Sequence, residues 1–476
     1  MGRLVDLKKA YADKKTSPRE TLLDLFKRIE KLNPKLNAYL EIFKEEALKA
    51  SDNPRAGSLS GIPIGIKDMI SIEGHELNAS SKILKGYRAP RSATVTEKLA
   101  NAGAIFTGRL NCDEFAMGSS NENTSFGPVL NPNDLSRTAG GSSGGSAAAV
   151  RADLCVGSLG TDTGGSIRLP AAFCGTVGLK PTYGRVSRSG VIAFASSLDQ
   201  VGPLADDAQD TAEIFQVIAG RDERDATTLP VATGDYVGAA KIGNLKGLKV
   251  GLPKEYFVKG GLSPDIEKLT QQSIEALKKE GAVFSEVSLP HTDYGIAVYY
   301  LVATAEAASN LSRYDGIRYG KRAKDFKSMK DLIVKTRSEG FGAEVKRRIM
   351  LGTFALSSGY FDAYYSKAQF VRSKIQQEFL DAFQKVDVIF APVSPTTAFK
   401  IGEKSSDPLQ MYLCDIYTVC VNLAGLPALS FPIGDDAKGL PVGAQFIGAP
   451  FAEETLFSAL AGFEKAAPYK RRSLEC

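Results

Sequence analysis

Histidine and tryptophan are nearly missing from this chain: its 476 residues hold two histidines, His75 and His291, and no tryptophan. The scarcity of histidine removes the commonest general base of serine hydrolases from most of the sequence. Cysteine is sparse as well. Cys112, Cys155, Cys174, Cys414, Cys420 and Cys476 make no C-x-x-C pair and neither histidine lies near such a pair, which argues against a zinc site and for reduced, mostly buried thiols. No stretch reaches the ~18 uninterrupted apolar residues of a membrane-spanning helix. The opening Met1-Gly2-Arg3-Leu4-Val5-Asp6 lacks the apolar core of a secretory leader and the Ser or Thr that a myristoylation signal wants at its sixth position. A soluble cytoplasmic protein without membrane contact is expected. An excess of one charge is lacking too: 59 Lys and Arg against 54 Asp and Glu leave a formal +5, too weak over this length for a dedicated nucleic-acid binder.

What is present describes an ordinary globular chain, 43% apolar and 24% charged, long enough for a substantial core. Residues 17–32 read as an amphipathic helix, with Ser17 and Glu20 as a capping box, Pro18 in the first turn, Leu22, Leu25, Phe26, Ile29 and Leu32 on one face, and Asn33-Pro34 as its end. From about 60 to 210 glycine, serine and alanine abound between short β-prone runs, which suits a site built from closely packed loops. The polar stretch 222–246 reads as a surface excursion. A strand at 248–252, a helix from Ser263-Pro264 to Gly281 and a strand at 283–289 form a βαβ-like unit. A helix over 362–383, with Ala368, Val371, Ile375, Phe379 and Ala382 inward, feeds a buried strand at 386–391. Runs 428–433 and 442–447 can pair across Gly434 to Gly439, and a last helix covers 453–466. Helices alternating with β-runs give an α/β architecture with helices covering a central sheet.

The chemistry concentrates in two glycine–serine nests, Gly140-Gly141-Ser142-Ser143-Gly144-Gly145-Ser146 and Thr161-Asp162-Thr163-Gly164-Gly165-Ser166. Serines among glycines suit nucleophilic catalysis, because bare backbone lets an acyl group approach and its N–H groups can hold an oxyanion. The first nest also matches G-x-S-x-G with Ser143 as nucleophile, but that elbow needs a downstream histidine, and His291 stands in no supporting motif. His75, in Glu73-Gly74-His75-Glu76, reads as a surface turn residue. Neither nest carries the Gly-Lys-Ser/Thr ending of a phosphate-binding loop. A buried lysine is the remaining base, since desolvation disfavours the ammonium form. Lys67 follows Ile62, Ile64 and Ile66 in Gly61-Ile62-Pro63-Ile64-Gly65-Ile66-Lys67-Asp68, so its segment is expected inside. On local sequence alone a catalytic amine and a buried lysine neutralised by Asp68 are both open.

These three segments together, with 75 residues from Lys67 to Ser142 and 24 more to Ser166, resemble the amidase signature family. The resemblance implies a single large domain over 1–476, a central mixed β-sheet covered by helices on both faces, a signature core at 60–210 and a substrate-selecting region at 290–420. It implies Lys67 as base, Ser142 as bridging serine after a cis peptide bond, Ser166 as acylated nucleophile, and the N–H groups of Thr163, Gly164, Gly165 and Ser166 as the oxyanion hole. Arg137-Thr138-Ala139 departs from the proline that family members often carry before the first nest.

The second half is similar to one branch of that family, the glutamine-hydrolysing subunits of tRNA-dependent amidotransferases. The carrying segments are Tyr299-Tyr300, 309–320, 344–353 and 411–416. Carried over by position, Arg348 would grip the α-carboxylate of glutamine, Asp415 its α-ammonium group, and Tyr299 would hydrogen-bond it. The register stays open between Arg347 and Arg348 and between Tyr299 and Tyr300. The likeness implies heterotrimer partners B and C and no cofactor or metal in this chain. Partner B would use ATP and magnesium to amidate mischarged Glu-tRNA(Gln), and the small partner C would wrap the pair. A free-standing small-molecule amidase of the same family is the alternative.

Overall fold

The computed structural model describes residues 2–258, 260–405 and 407–474. Cys476 lies outside them; the other five cysteines are buried free thiols. In chain order the strands are β1 (Tyr39–Ile42), β2 (Pro63–Lys67), β3 (Ile105–Leu110), β4 (Leu130–Asn131), β5 (Asp134–Thr138), β6 (Gly157–Asp162), β7 (Val177–Lys180), β8 (Gln200–Ala205), β9 (Lys249–Pro253), β10 (Val283–Val287), β11 (Val388–Pro392), β12 (Ala428–Asp435) and β13 (Pro441–Gly448). Eleven of them share one sheet in the order β1-β3-β2-β6-β8-β7-β12-β13-β11-β9-β10, and β4 and β5 pair apart from it. β3, β2 and β6 are parallel, as are β11, β9 and β10, while the strands between them pair antiparallel. The sheet is therefore mixed. Every residue of β2, β6, β8 and β11 is buried, which requires helices over both faces.

Several elements lie where their sequence signals put them. Ser17 and Glu20 form both bonds of the capping box on the helix Pro18–Leu36. That helix runs four residues past the expected stop, with Pro34 inside its last turn. Asn37, in the left-handed conformation, ends it by donating its N–H to the Asn33 carbonyl, and the Asn33 side chain then pins the backbone of Tyr39. The helix Glu453–Ala466 and the antiparallel β12–β13 pair match expectation closely. The helix of the βαβ-like unit is Pro264–Lys279, and its flanking strands β9 and β10 pair in parallel. β10 stops at Val287, short of Leu289. The helix expected over 362–383 is α-helical only from Lys367 to Ala382, preceded by a π-helical turn at Asp362–Ser366. The stretch 222–246 is more than a surface excursion: it lays down a helix, Tyr236–Ile242, whose buried Tyr236 packs between Phe215 and Phe457.

Strand geometry decides where the lysine goes. Along β2 alternate side chains face opposite ways, so Ile64 and Ile66 share one face while Pro63, Gly65 and Lys67 share the other. β2 pairs with β6 through Ile64–Gly157, Gly65–Ser158 and Ile66–Leu159. One step further along this ladder lie Lys67 and the Gly160-Thr161 end of β6. The base and the second nest thus meet at the carboxyl ends of two adjacent parallel strands, the usual place for a site in such sheets.

Candidate active site

Lys67 is fully buried. Its Nζ lies 2.7 Å from Ser142 Oγ, 2.8 Å from Ser143 Oγ and 2.8 Å from Thr161 Oγ1. Burial drives its pKa down to about 8, against the pull of Cys112, Asp113, Asp162 and Asp199 nearby. Asp68, the neutralising partner left open by the sequence, faces elsewhere: it accepts from the N–H groups of Asn78 and Ser80 and lies 2.8 Å from an Arg109 nitrogen. Among the described residues no carboxylate pairs with Lys67, and hydroxyls surround its amine.

The first nest leaves β5 and turns into the helix Gly144–Arg151, and the peptide bond Gly141–Ser142 is cis. Asp113 supports it from below, donating its N–H to the Ser142 carbonyl at 3.2 Å. The second nest leaves β6 and turns into the helix Arg168–Cys174. The two are stitched directly, the Ser143 N–H donating to the Ser166 carbonyl at 3.1 Å. Ser166 is 8% exposed, at the open side of this cluster, with Ser142 fully buried behind it.

Asp162 holds the second nest in shape. Its carboxylate accepts from Gly165 N–H at 2.8 Å, Ile167 N–H at 3.2 Å and Asn422 Nδ2 at 2.9 Å, and pairs with Arg168 at 3.1 Å. Burial alone would raise its pKa; Arg168, Lys180 and Asn422 together hold it at about 2. The Arg168 guanidinium reaches on to the Thr418 carbonyl, Asn422 Oδ1 and Gln445 Oε1. The expected oxyanion hole loses one donor here. The Gly165 N–H, one of the four expected there, is already committed to Asp162. Thr163 is fixed in turn by its hydroxyl, which donates to Asp199 at 2.7 Å.

Of the three residues expected to bind substrate, Tyr299 and Asp415 lie against this nest from distant elements, and the Arg348 charge acts on both. Tyr299, on the helix Gly295–Asn310, lies so close that a methyl group at Gly164 would meet its ring at 2.5 Å. Gly165, at φ 138°, stands where a methyl group would meet Thr418 Oγ1 at 2.4 Å and Asp415 Oδ1 at 3.3 Å. Both glycines are needed for close approach, the second also for its backbone angle. Asp415 is buried, accepts from Ser119 Oγ at 2.5 Å, and has its pKa pushed up to about 7 by that burial. Arg348, on the helix Ala343–Ala355, is buried beneath the Tyr300 and Tyr412 rings, its Nε 2.8 Å from Glu344. Arg347 points outward, 46% exposed, onto the same carboxylate. Arg348 and Tyr299 are thus the buried members of their pairs, while Tyr300 stacks on Tyr412 at 3.8 Å and also lies against Arg348.

Neither histidine belongs to the cluster. His75 is partly buried against Phe43 and lies 3.1 Å from Glu46, more enclosed than a surface turn residue would be. His291 pairs with Glu378. Among the described residues no group of three or more His, Cys, Asp or Glu side chains is placed to hold a metal ion, and no helix is long and apolar enough to cross a membrane.

A profile of the Amidase family matches residues 20–457. The chain belongs to the amidase signature family. Its relatives within that family include the A subunit of the glutamyl-tRNA(Gln) amidotransferase of Geobacter metallireducens, 54% identical over 95% of this chain and 94% of the relative. The crystal structure of the corresponding glutamyl-tRNA(Gln) amidotransferase chain of Thermotoga maritima superposes with a TM-score of 0.80 at 41% identity, covering 95% of this chain and 92% of that one. A more distant amidase-fold structure, the 6-aminohexanoate cyclic dimer hydrolase complexed with substrate, gives a TM-score of 0.85 at 25% identity over 100% of this chain and 98% of that one. The family's fold, one mixed sheet flanked by helices, is the fold described above.

Proposed function

We propose that this chain is the glutaminase subunit of a tRNA-dependent amidotransferase, acting through an acyl-enzyme on Ser166. The observation that carries the chemistry is the buried Lys67 amine, lowered to about 8 and 2.7 Å from Ser142. Neutral Lys67 takes the Ser142 proton as Ser142 takes that of Ser166, so the Ser166 oxygen attacks the side-chain carbonyl of glutamine as its charge develops. The N–H groups of Thr163, Gly164 and Ser166 hold the tetrahedral oxyanion. The proton returns through Ser142 to the leaving nitrogen, ammonia departs, and water then releases glutamate from Ser166. Base, relay and nucleophile are all the chain's own side chains, and no cofactor enters.

Selection of a free amino acid needs one cation and one anion placed away from the scissile amide. Arg348 and Asp415, both buried, are that pair, and the Tyr299 hydroxyl supplies the third contact. The names of the curated relatives support a place in a multi-subunit amidotransferase; in the role proposed here the ammonia is passed to an ATP- and magnesium-dependent partner B that amidates Glu-tRNA(Gln), with a small partner C completing the heterotrimer in the cytoplasm. A free-standing amidase would instead turn over simple aliphatic amides at full rate without partners. The test is Ser166→Ala in the assembled complex. Glutamine-dependent amidation of Glu-tRNA(Gln) is expected to vanish while amidation driven by ammonium chloride persists. Loss of both in a folded complex would overturn this division of labour.

A further inference from the structure

The helix Ala343–Ala355 is apolar on two sides. Its inner side carries Val345, Arg348, Gly352 and Ala355 and is buried; Gly352 lets it approach the helix Gly295–Asn310 so closely that a methyl group there would lie 1.9 Å from the Thr304 carbonyl. Its outer side should then be polar, as on other surface helices. Instead Met350 is 72% exposed, with Leu351 and Phe354 open beside it. Phe354 is joined by exposed rings from the following turn, Tyr360 at 4.4 Å and Tyr364 at 5.8 Å. A contiguous apolar surface of this kind, rimmed by polar residues, marks an interaction site.

The rim says what fits there. Within residues 343–374 the exposed charges are Lys346, Lys367, Lys374 and Arg347, the last paired with the buried Glu344, against Asp362 alone. A second copy docking by a two-fold axis would set these cations against themselves, which disfavours a homodimer. Nucleic acid would use the lysines and the rings, but it has no use for the aliphatic centre at Met350 and Leu351, which is desolvated productively only by another apolar face. We infer that the outer face of Ala343–Ala355, with the aromatic turn after it, docks a protein subunit that presents an apolar patch rimmed by carboxylates. Resting on the glutaminase reading above, that protein is the amidating partner; binding of the small companion alone would be an outcome against it. The placement has a functional edge, because the docked helix is the one that carries Arg348.

The experiment uses the full chain and its purified partner subunits. Met350→Glu with Phe354→Glu, and separately Lys346→Glu with Arg347→Glu, are compared with Val283→Glu, a change at an exposed apolar residue on β10. Calorimetric titration of the partner subunits reads Kd, light scattering reads the mass of the isolated chain, and glutamate release reads its basal activity. The expected result is a monomeric wild type and a Kd weakened at least about thirtyfold by either outer-face pair, as for an interface hot spot. Val283→Glu should leave Kd unchanged, and the Met350/Phe354 variant should keep its basal glutaminase. Wild-type Kd in both outer-face variants would overturn the assignment of this surface and leave the glutaminase reading standing. A wild-type dimer made monomeric by Phe354→Glu, or loss of tRNA binding with partner binding intact, would overturn it in favour of the other occupants. A wild-type chain that neither binds the partners nor releases glutamate would sink the glutaminase reading itself.

Discussion

Lys67 and Asp68, consecutive in the chain, face opposite partners: the amine lies among the hydroxyls of Ser142, Ser143 and Thr161, and the carboxylate pairs with Arg109. Strand alternation separates them, and the separation is what leaves the amine able to shed its proton near neutrality. Had they paired, Asp68 would have held Lys67 charged well above the working pH.

The first expectation follows from that pKa. Only neutral Lys67 is a base, so kcat for glutamine should rise with pH and level off above about 8. Below that point it should fall by about tenfold per pH unit. Lys67→Met should remove this acid limb and lower kcat by roughly 10²–10⁴. An unchanged limb in Lys67→Met would assign the titration to another group.

Substrate capture has its own pH dependence. Asp415 must be ionised to hold an α-ammonium group, and burial has raised it to about 7. KM for glutamine is expected to fall as pH rises through about 7, separately from the Lys67 limb in kcat. Asp415→Asn should make KM high and flat across this range; a KM that still titrates there would exclude Asp415 as the group responsible.

Arg348 and Arg347 differ only in the side of the helix they occupy. Arg348→Ala removes a buried charge-assisted contact and should raise KM about 10- to 100-fold with a smaller change in kcat. Arg347→Ala should leave KM at the wild-type value. The reverse pattern in steady-state kinetics would move the carboxylate contact to Arg347.

Arg168 tests the frame behind the nucleophile. Arg168→Met leaves Asp162 buried without its ion-pair partner, a change expected to cost about 3–5 kcal/mol in denaturant unfolding. Because Asp162 is held below its ordinary 3.8, its contribution is complete above that pH and is lost as pH falls toward about 2. The stability gap between wild type and variant should therefore close in acid. A gap that stays constant down to about pH 2 would place the effect elsewhere, for instance in packing.

Much of the site was legible because its chemistry is local in sequence. The nests declare themselves by glycine and serine content, and the isoleucines before Lys67 announce a buried strand. What could not be read was how a nest keeps its shape. Asp162 lies inside the second nest itself, yet its claim on the Gly165 N–H depends on a turn geometry that composition does not reveal. The Asp199 carboxylate that fixes Thr163, and the Ser119 hydroxyl that meets Asp415 from 296 positions away, carry no local signal at all. The same holds for the helix end at Leu36: a proline in the sequence marks a stop, but the Asn33 and Asn37 bonds that extend the helix past it are visible only once β1 is in place.

The Arg168 clamp closes on Thr418, Asn422 and Gln445, which follow it by 250 to 277 positions. During synthesis the loop bearing Ser166 therefore leaves the ribosome long before the residues that lock it. Until β13 has emerged, a nascent chain carries all three signature segments and yet lacks a fixed catalytic geometry. A chain truncated before β13 is accordingly expected to lack hydrolytic activity although it carries Lys67, Ser142 and Ser166.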